Sequence, residues 1–144
     1  MKTNYSIIIT DDDADDADDH QFLTDTIKNV RSNCQITSAY NGLELMDILY
    51  RMAESRQPLP DLIILDLNMP LMNGYEVLKK IKAIPVFAHI PVYILTTSEF
   101  EYDKVKAIAY GASAFYSKPF FSNELTAVME EIFSKANIPV CSTI

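Results

Sequence analysis

The sequence predicts an α/β fold, a (βα)5 three-layer sandwich built on a parallel five-stranded sheet. Short apolar runs alternate five times with segments of helical apolar spacing. That alternation implies right-handed crossovers and a sheet covered on both faces. Three of the runs, Ile7 to Ile9, Leu62 to Leu65 and Val92 to Leu95, are continuous rather than alternating, as strands buried on both faces require. Five such units suit the flavodoxin-like strand order 2-1-3-4-5.

Each element has its own signal. The strands are predicted at Tyr5 to Thr10, Cys34 to Tyr40, Asp61 to Asp66, Pro91 to Thr96 and Ala114 to Ser117. The second carries Thr37 and Ser38 and suits a sheet edge. Leu23, Ile27 and Val30 mark a first helix, and Leu45, Ile48, Leu49 and Met52 place one buried face on a second. Val77, Leu78 and Ile81 mark the third, Val105, Ile108 and Ala109 the fourth, and Leu125, Val128, Met129 and Ile132 the fifth. Asn73-Gly74 is a turn signal directly before the third helix. The polar segment Glu54 to Pro60, with two prolines, reads as an extended loop at the end of the sheet away from the strand C-termini.

Composition narrows the function. The 144 residues, 49% hydrophobic, suit one domain with a sizeable core. A formal net charge of -8 argues against nucleic acid or anionic membrane as a direct partner. Nearly all of that charge comes from seven aspartates, Asp11, Asp12, Asp13, Asp15, Asp16, Asp18 and Asp19. No apolar run is long enough for a signal peptide core or a membrane span. Cys34 and Cys141 are far apart and read as reduced thiols. A cytoplasmic protein is expected.

Ligands of open α/β sheets bind outside the strand C-termini, beside the point where strand order reverses. The residues arriving there are Asp11-Asp12, Asp66, Thr96 and Ser117-Lys118-Pro119. Three close carboxylates cannot all stay ionised unaided. A hard divalent cation resolves this, and all-oxygen ligation is what Mg²⁺ prefers. Lys118 adds a second positive charge, so the rim is suited to an anion beside a metal, with phosphoryl the natural candidate.

These residues fall within a set of motifs: an apolar strand before Asp11-Asp12, then Leu65-Asp66-Leu67-Asn68-Met69-Pro70, Asn73-Gly74, Leu95-Thr96, Gly111-Ala112 and Lys118-Pro119-Phe120. In this order and spacing, roughly over residues 5 to 136, the chain resembles the receiver domains of bacterial two-component response regulators. The resemblance implies that Asp66 is the phosphoacceptor for a sensor histidine kinase or phosphotransfer protein. It makes Asp11, Asp12, Asp66 and the backbone carbonyl of Asn68 the Mg²⁺ site, with Asp11 acting mainly through bound water. Thr96 and Lys118 would hold phosphoryl oxygens, and Phe115 would rotate with Thr96 in place of the family's frequent Tyr. Asn68 and Ser98 occupy the positions that tune aspartyl-phosphate lifetime, and Lys118-Pro119 would be a cis peptide bond. Helix 4, strand 5 and helix 5 would form the docking face for a downstream protein target, with Phe100, Tyr102 and Phe121 as candidates for that face or for the core.

Residues 1-136 are thus expected to form the receiver domain and residues 137-144 a tail without an output domain. The chain would act as a phosphorylation-operated switch, a monomer or a phosphorylation-dependent homodimer, rather than as an enzyme on other substrates. One departure is Thr97, where the family favours a smaller residue; its branch would narrow phosphoryl access. Two other readings share the same residues. One is a receiver-shaped scaffold that no longer turns over phosphoryl. The other is a haloacid dehalogenase-type phosphatase using Asp11 of Asp11-Asp12-Asp13, although Asp15 stands where that family has Thr or Val. A calcium loop starting at Asp11 fails, since its sixth and twelfth positions are Asp16 and Phe22. No glycine motif for nucleotide binding is present. His20 and His89, the two histidines, lack a catalytic partner and read as surface residues.

Overall fold

In the computed structural model the described residues are 4-10, 17-67, 72-98, 100-119 and 122-139. Five strands and five helices alternate along them. They are β1 (Tyr5–Thr10), α1 (Ala17–Val30), β2 (Cys34–Ala39), α2 (Gly42–Glu54) and β3 (Leu62–Leu65), followed by α3 (Gly74–Ala83), β4 (Val92–Thr96), α4 (Glu101–Ala109), β5 (Ala114–Ser117) and α5 (Ser122–Lys135). All pairings are parallel and the sheet order is β2-β1-β3-β4-β5. The expected fold and strand order are therefore observed. Strands β2, β3 and β4 are a residue or two shorter than the apolar pattern suggested. At the entry to β3, for example, Asp61 bonds Ser6 through both its backbone and its carboxylate instead of continuing the strand.

Alternation along the buried strands splits the core into two layers. Ile8, Ile63, Leu65, Val92 and Ile94 pack under Leu45 and Leu49 of α2 and Val77, Leu78 and Ile81 of α3. Ile7, Ile9, Leu62, Ile64, Tyr93 and Leu95 pack on the other face against Leu23 and Ile27 of α1 and Leu125, Met129, Ile132 and Phe133 of α5. Both faces of β3 are fully covered, which explains the unbroken run Leu62-Ile63-Ile64-Leu65. Helices α2 and α3 start at Asn41 and Asn73, whose side chains accept from the backbone N–H of Glu44 and Glu76 at 2.8 and 3.0 Å. Helix α4 is different. Its N-cap is Phe100, which makes no capping bond, and its buried residue is Ala107.

The loop from Ser55 to Asp61 sits where expected, at the N-terminal strand ends, where it lines a cleft with Tyr5, Gln35 and Thr37. That same end anchors the chain after α5. Asn137 takes φ 60° and turns the backbone so that Ile138 is buried. The Arg31 guanidinium, itself 7% exposed, donates to the carbonyls of Ile138 and Val30 at 3.0 and 2.9 Å. It also lies 5.4 Å from the Phe133 ring centroid. Cys34 nearby is a buried free thiol, pushed up to about 11 by burial; Cys141 lies outside the described residues.

Hydrogen bonds from a charged donor are worth about 1.5–3 kcal/mol when buried. Arg31→Ala should therefore lower unfolding free energy by about 2 kcal/mol in urea titration and expose the chain after Lys135 to limited proteolysis.

Candidate functional site

Strands β1, β3, β4 and β5 end at one rim. The register pairs Ile9 with Ile64, Leu65 with Ile94, and Thr96 with Ser117. This brings Thr10, Asp66, Thr96 and Lys118 to neighbouring strand ends. Asp66 is 5% exposed, an expensive place for a carboxylate unless a partner is supplied. The partner is Lys118, whose Nζ lies 3.3 Å from Asp66 Oδ2. The Lys118 backbone N–H donates to the Thr96 carbonyl at 2.7 Å, which fixes the root of the lysine against the end of β4.

Thr96 is fully buried, and its Oγ1 has no hydrogen-bond partner among the described residues. Leaving such a hydroxyl unpaired costs about 1–3 kcal/mol, and orphans of this kind call for an explanation. A donor waiting for a ligand oxygen explains it. The rim thus joins a buried carboxylate, an ammonium and a spare buried hydroxyl.

The backbone of Asp66 is crowded from both sides. Its N–H donates to Thr10 Oγ1 at 3.0 Å, and that hydroxyl in turn donates to the Ile64 carbonyl at 3.3 Å. Across from it, a Cβ on Gly74 would come within 2.5 Å of the Asp66 carbonyl oxygen and 2.6 Å of Leu67 Cα. Only glycine lets α3 begin so close to the end of β3, and Gly74 N–H bonds the Leu67 carbonyl at 3.0 Å.

Other expected site residues fall differently. Asp11, Asp12 and Asn68 lie outside the described residues, as do Asp13, Asp15, Asp16, Phe120 and Phe121. Phe115 is half-buried on β5 and packs on the α2–α3 core layer. The Lys118–Pro119 peptide bond is trans, since no described residue has a cis bond. This corrects the expectation of a cis bond. Trans is the intrinsic preference of X-Pro, by about 0.5–1 kcal/mol, and Lys118 reaches both Thr96 and Asp66 without the cis isomer.

Ser98 has its hydroxyl committed elsewhere. Ser98 Oγ donates to Asp103 Oδ2 at 2.5 Å and accepts the Phe100 N–H at 3.3 Å. Asp103, in the first turn of α4, also accepts from the Tyr75 hydroxyl of α3. Bonds from Ser98 and Tyr75 hold the Asp103 carboxyl below the usual carboxylate range. Burial, then the bond to Asp103, pushes the Tyr75 phenol well above its ordinary value. Lys106 Nζ stands 4.2 Å from the Tyr75 ring centroid, and Tyr75 meets Tyr110 edge to face at 5.9 Å. A polar chain therefore runs from the loop after Thr96, through Asp103, to α3. Beyond it, α4 exposes Phe100 at 74%, Tyr102 at 71%, Val105 at 60% and Ile108 at 44%.

Sequence reasoning found Asp66, Thr96 and Lys118 but missed Thr10, Tyr75 and Asp103. A hydroxyl closing the otherwise apolar core of β1 was a readable signal for Thr10. Nothing local joins Tyr75 to Asp103, which meet across 28 positions.

Comparison with known proteins agrees with this geometry. A family model described as the response regulator receiver domain matches residues 7–130. Response regulator Rre1 of Synechocystis is 30% identical over 136 residues, covering 94% of this chain and 54% of its own length. The phosphorylated cyanobacterial phytochrome response regulator RcpA superposes with a TM-score of 0.79 at 27% identity, covering 91% of this chain and 92% of the other. The Mn(2+)-bound form of response regulator Rcp1 gives a TM-score of 0.76 at 29% identity, covering 90% and 92%. The chain spans about half the length of the curated relatives it matches.

Tyr75→Phe should cost about 1 kcal/mol of stability by loss of one hydrogen bond to a carboxylate. Because the Asp103 pKa is depressed in the folded protein, its contribution is present above the ordinary value of 3.8 and is lost as pH falls through the lower, folded value. The stability gap between wild type and Tyr75→Phe, followed by thermal melts, should accordingly be widest near neutral pH and shrink in acid.

Proposed function

The chain belongs to the response regulator receiver domain family, and on that premise we propose that Asp66 accepts a phosphoryl group and switches protein contacts. Receiver domains are signalling switches rather than enzymes acting on external substrates, and they take their phosphoryl from histidine kinases or phosphotransfer proteins. The observation that carries the reading here is the buried Asp66–Lys118 pair beside an unpartnered Thr96 hydroxyl.

The step is a group transfer. An Asp66 carboxylate oxygen attacks phosphorus, the new O–P bond forms as the donor's N–P bond breaks, and the imidazole leaves with the bonding pair. Lys118 holds the carboxylate before transfer and a phosphoryl oxygen after it. The Thr96 hydroxyl donates to another phosphoryl oxygen and so gains the partner it lacks. Its movement vacates space for Phe115 to turn inward, which carries the change to β5.

The donor chemistry also fits a hard cation. Asp66 offers a carboxylate, and by resemblance to the family the further ligands would be Asp11, Asp12 and the Asn68 carbonyl, which follow β1 and β3 in the chain. Bound there, Mg²⁺ supplies positive charge beside the transferring group. Asn68 and Ser98 set the lifetime of the product. The exposed stripe on α4 supports docking of a downstream protein through α4, β5 and α5, by a monomer or a phosphorylation-dependent homodimer. No described helix is long and apolar enough to cross a membrane, and we place the switch in the cytoplasm without direct contact to nucleic acid. The receiver-domain match over residues 7–130 supports this reading over an Asp11-nucleophile phosphatase.

Intact-mass measurement after incubation with a small phosphodonor tests this reading. Wild type should gain one phosphoryl group with Mg²⁺ and not without it, and Asp66→Asn should gain none. A folded wild type that forms no Mg²⁺-dependent adduct would establish the inactive scaffold instead. An adduct that survives Asp66→Asn would move the nucleophile elsewhere.

A further inference from the structure

We propose that Thr10 is a positioning residue for Asp66, acting through the nucleophile's own backbone N–H; the inference rests on the reading of Asp66 as the phosphoacceptor. The parallel ladder between β1 and β3 pairs Ile7, Ile8 and Ile9 with Leu62, Ile63 and Ile64 and stops there. Asp66 lies two residues beyond the last rung. The β3–β4 ladder holds the preceding residue, Leu65, against Ile94. On the β1 side, the Thr10 side chain provides a link past the end of the ladder. Its Oγ1 accepts from Asp66 N–H at 3.0 Å and donates to the Ile64 carbonyl at 3.3 Å.

Burial makes this link matter. Thr10 is 2% exposed, so water is not at hand to replace either bond. One hydroxyl serves as donor and acceptor at once, which valine cannot do and serine can. On the opposite side, the start of α3 at Gly74 approaches the Asp66 carbonyl too closely for any side chain. The Asp66 peptide is thereby held from two directions, and the carboxylate it carries is kept within reach of Lys118 Nζ at 3.3 Å. Transfer to phosphorus is sensitive to such aim: misplacement of a reacting group by about 1 Å lowers rate by about 100-fold. Thr10 also directly precedes Asp11 in the chain, so the same side chain ties the β1 end of the rim to the β3 end.

The test compares wild type, Thr10→Val and Thr10→Ser by two readouts at saturating Mg²⁺. One is the rate of adduct formation from a small phosphodonor, followed by intact mass. The other is hydrogen exchange at the Asp66 amide, followed by NMR. Thr10→Val, close to isosteric, should slow adduct formation by about 10- to 100-fold and speed Asp66 amide exchange more than that of core amides in β3. Thr10→Ser should restore both, because it keeps the hydroxyl. A folded Thr10→Val with a wild-type rate would overturn the proposal. Equal slowing in Thr10→Val and Thr10→Ser would also overturn it, assigning the effect to methyl packing. If wild type itself forms no Asp66-dependent adduct, the phosphoacceptor reading fails and positioning fails with it, whereas the amide readout would still show whether the Thr10 bond exists.

Discussion

A carboxylate taken out of water has to be held against a large desolvation cost, and at Asp66 the Lys118 ammonium does the holding. The sheet is what makes this pairing possible. Lys118 follows β5, the edge strand, and Asp66 follows β3, the central one, with β4 between them. Only a parallel sheet with its strand ends in register lets one long side chain cross that gap. The unbroken apolar strands, the two-layered core and the asparagine caps on α2 and α3 all serve to keep those ends aligned. Remove the charge pairing and the buried Asp66 carboxylate loses the cation that offsets its desolvation.

The rim is not isolated from the surface. Thr96 is the last residue of β4, and two residues later Ser98 grips Asp103 in the first turn of α4. Asp103 is held on its other side by Tyr75 of α3. Helix α4 has little else to fix it: an uncapped start and Ala107 as its buried residue. Its seat is set by polar and cation–aromatic contacts rather than by apolar burial. A shift at Thr96 therefore reaches, within two residues, the contacts that hold the exposed stripe of Phe100, Tyr102, Val105 and Ile108 in place. Local stabilities of this kind vary across a fold, and elements with few buried contacts open first.

Much of this was legible in the sequence. Continuous apolar runs identified doubly covered strands, because burial on both faces erases alternation. Asp66, Thr96 and Lys118 could be assigned because they sit at or directly after strand ends, where topology alone dictates location. Phe100 and Tyr102 could not be assigned to core or surface, since a short helix with a single aromatic and scattered apolar residues shows no dominant face; the structure exposes both. The peptide isomer at Pro119 was expected from resemblance and observed otherwise, for isomer choice depends on three-dimensional contacts. Thr10, Tyr75 and Asp103 act through bonds to residues 28 to 56 positions away. Such pairings leave no periodic trace, and the polar residue ending β1 showed only that a partner was needed.

The Arg31 anchor sets the direction of the chain after α5. It ties Ile138 to the end of α1, beside the N-terminal ends of the strands. A six-residue strand such as β1 spans on the order of 20 Å, so the departure point and the Asp66 rim stand at opposite poles of the sheet. Ile138 itself, buried in the α1–α5 layer, is separated from the rim by the length of the sheet. Influence between the two poles then has to travel over the flank of the molecule or through a change of partner. A small displacement at Thr96 would bear on the α4 flank, through Ser98 and Asp103, and leave the anchored pole still.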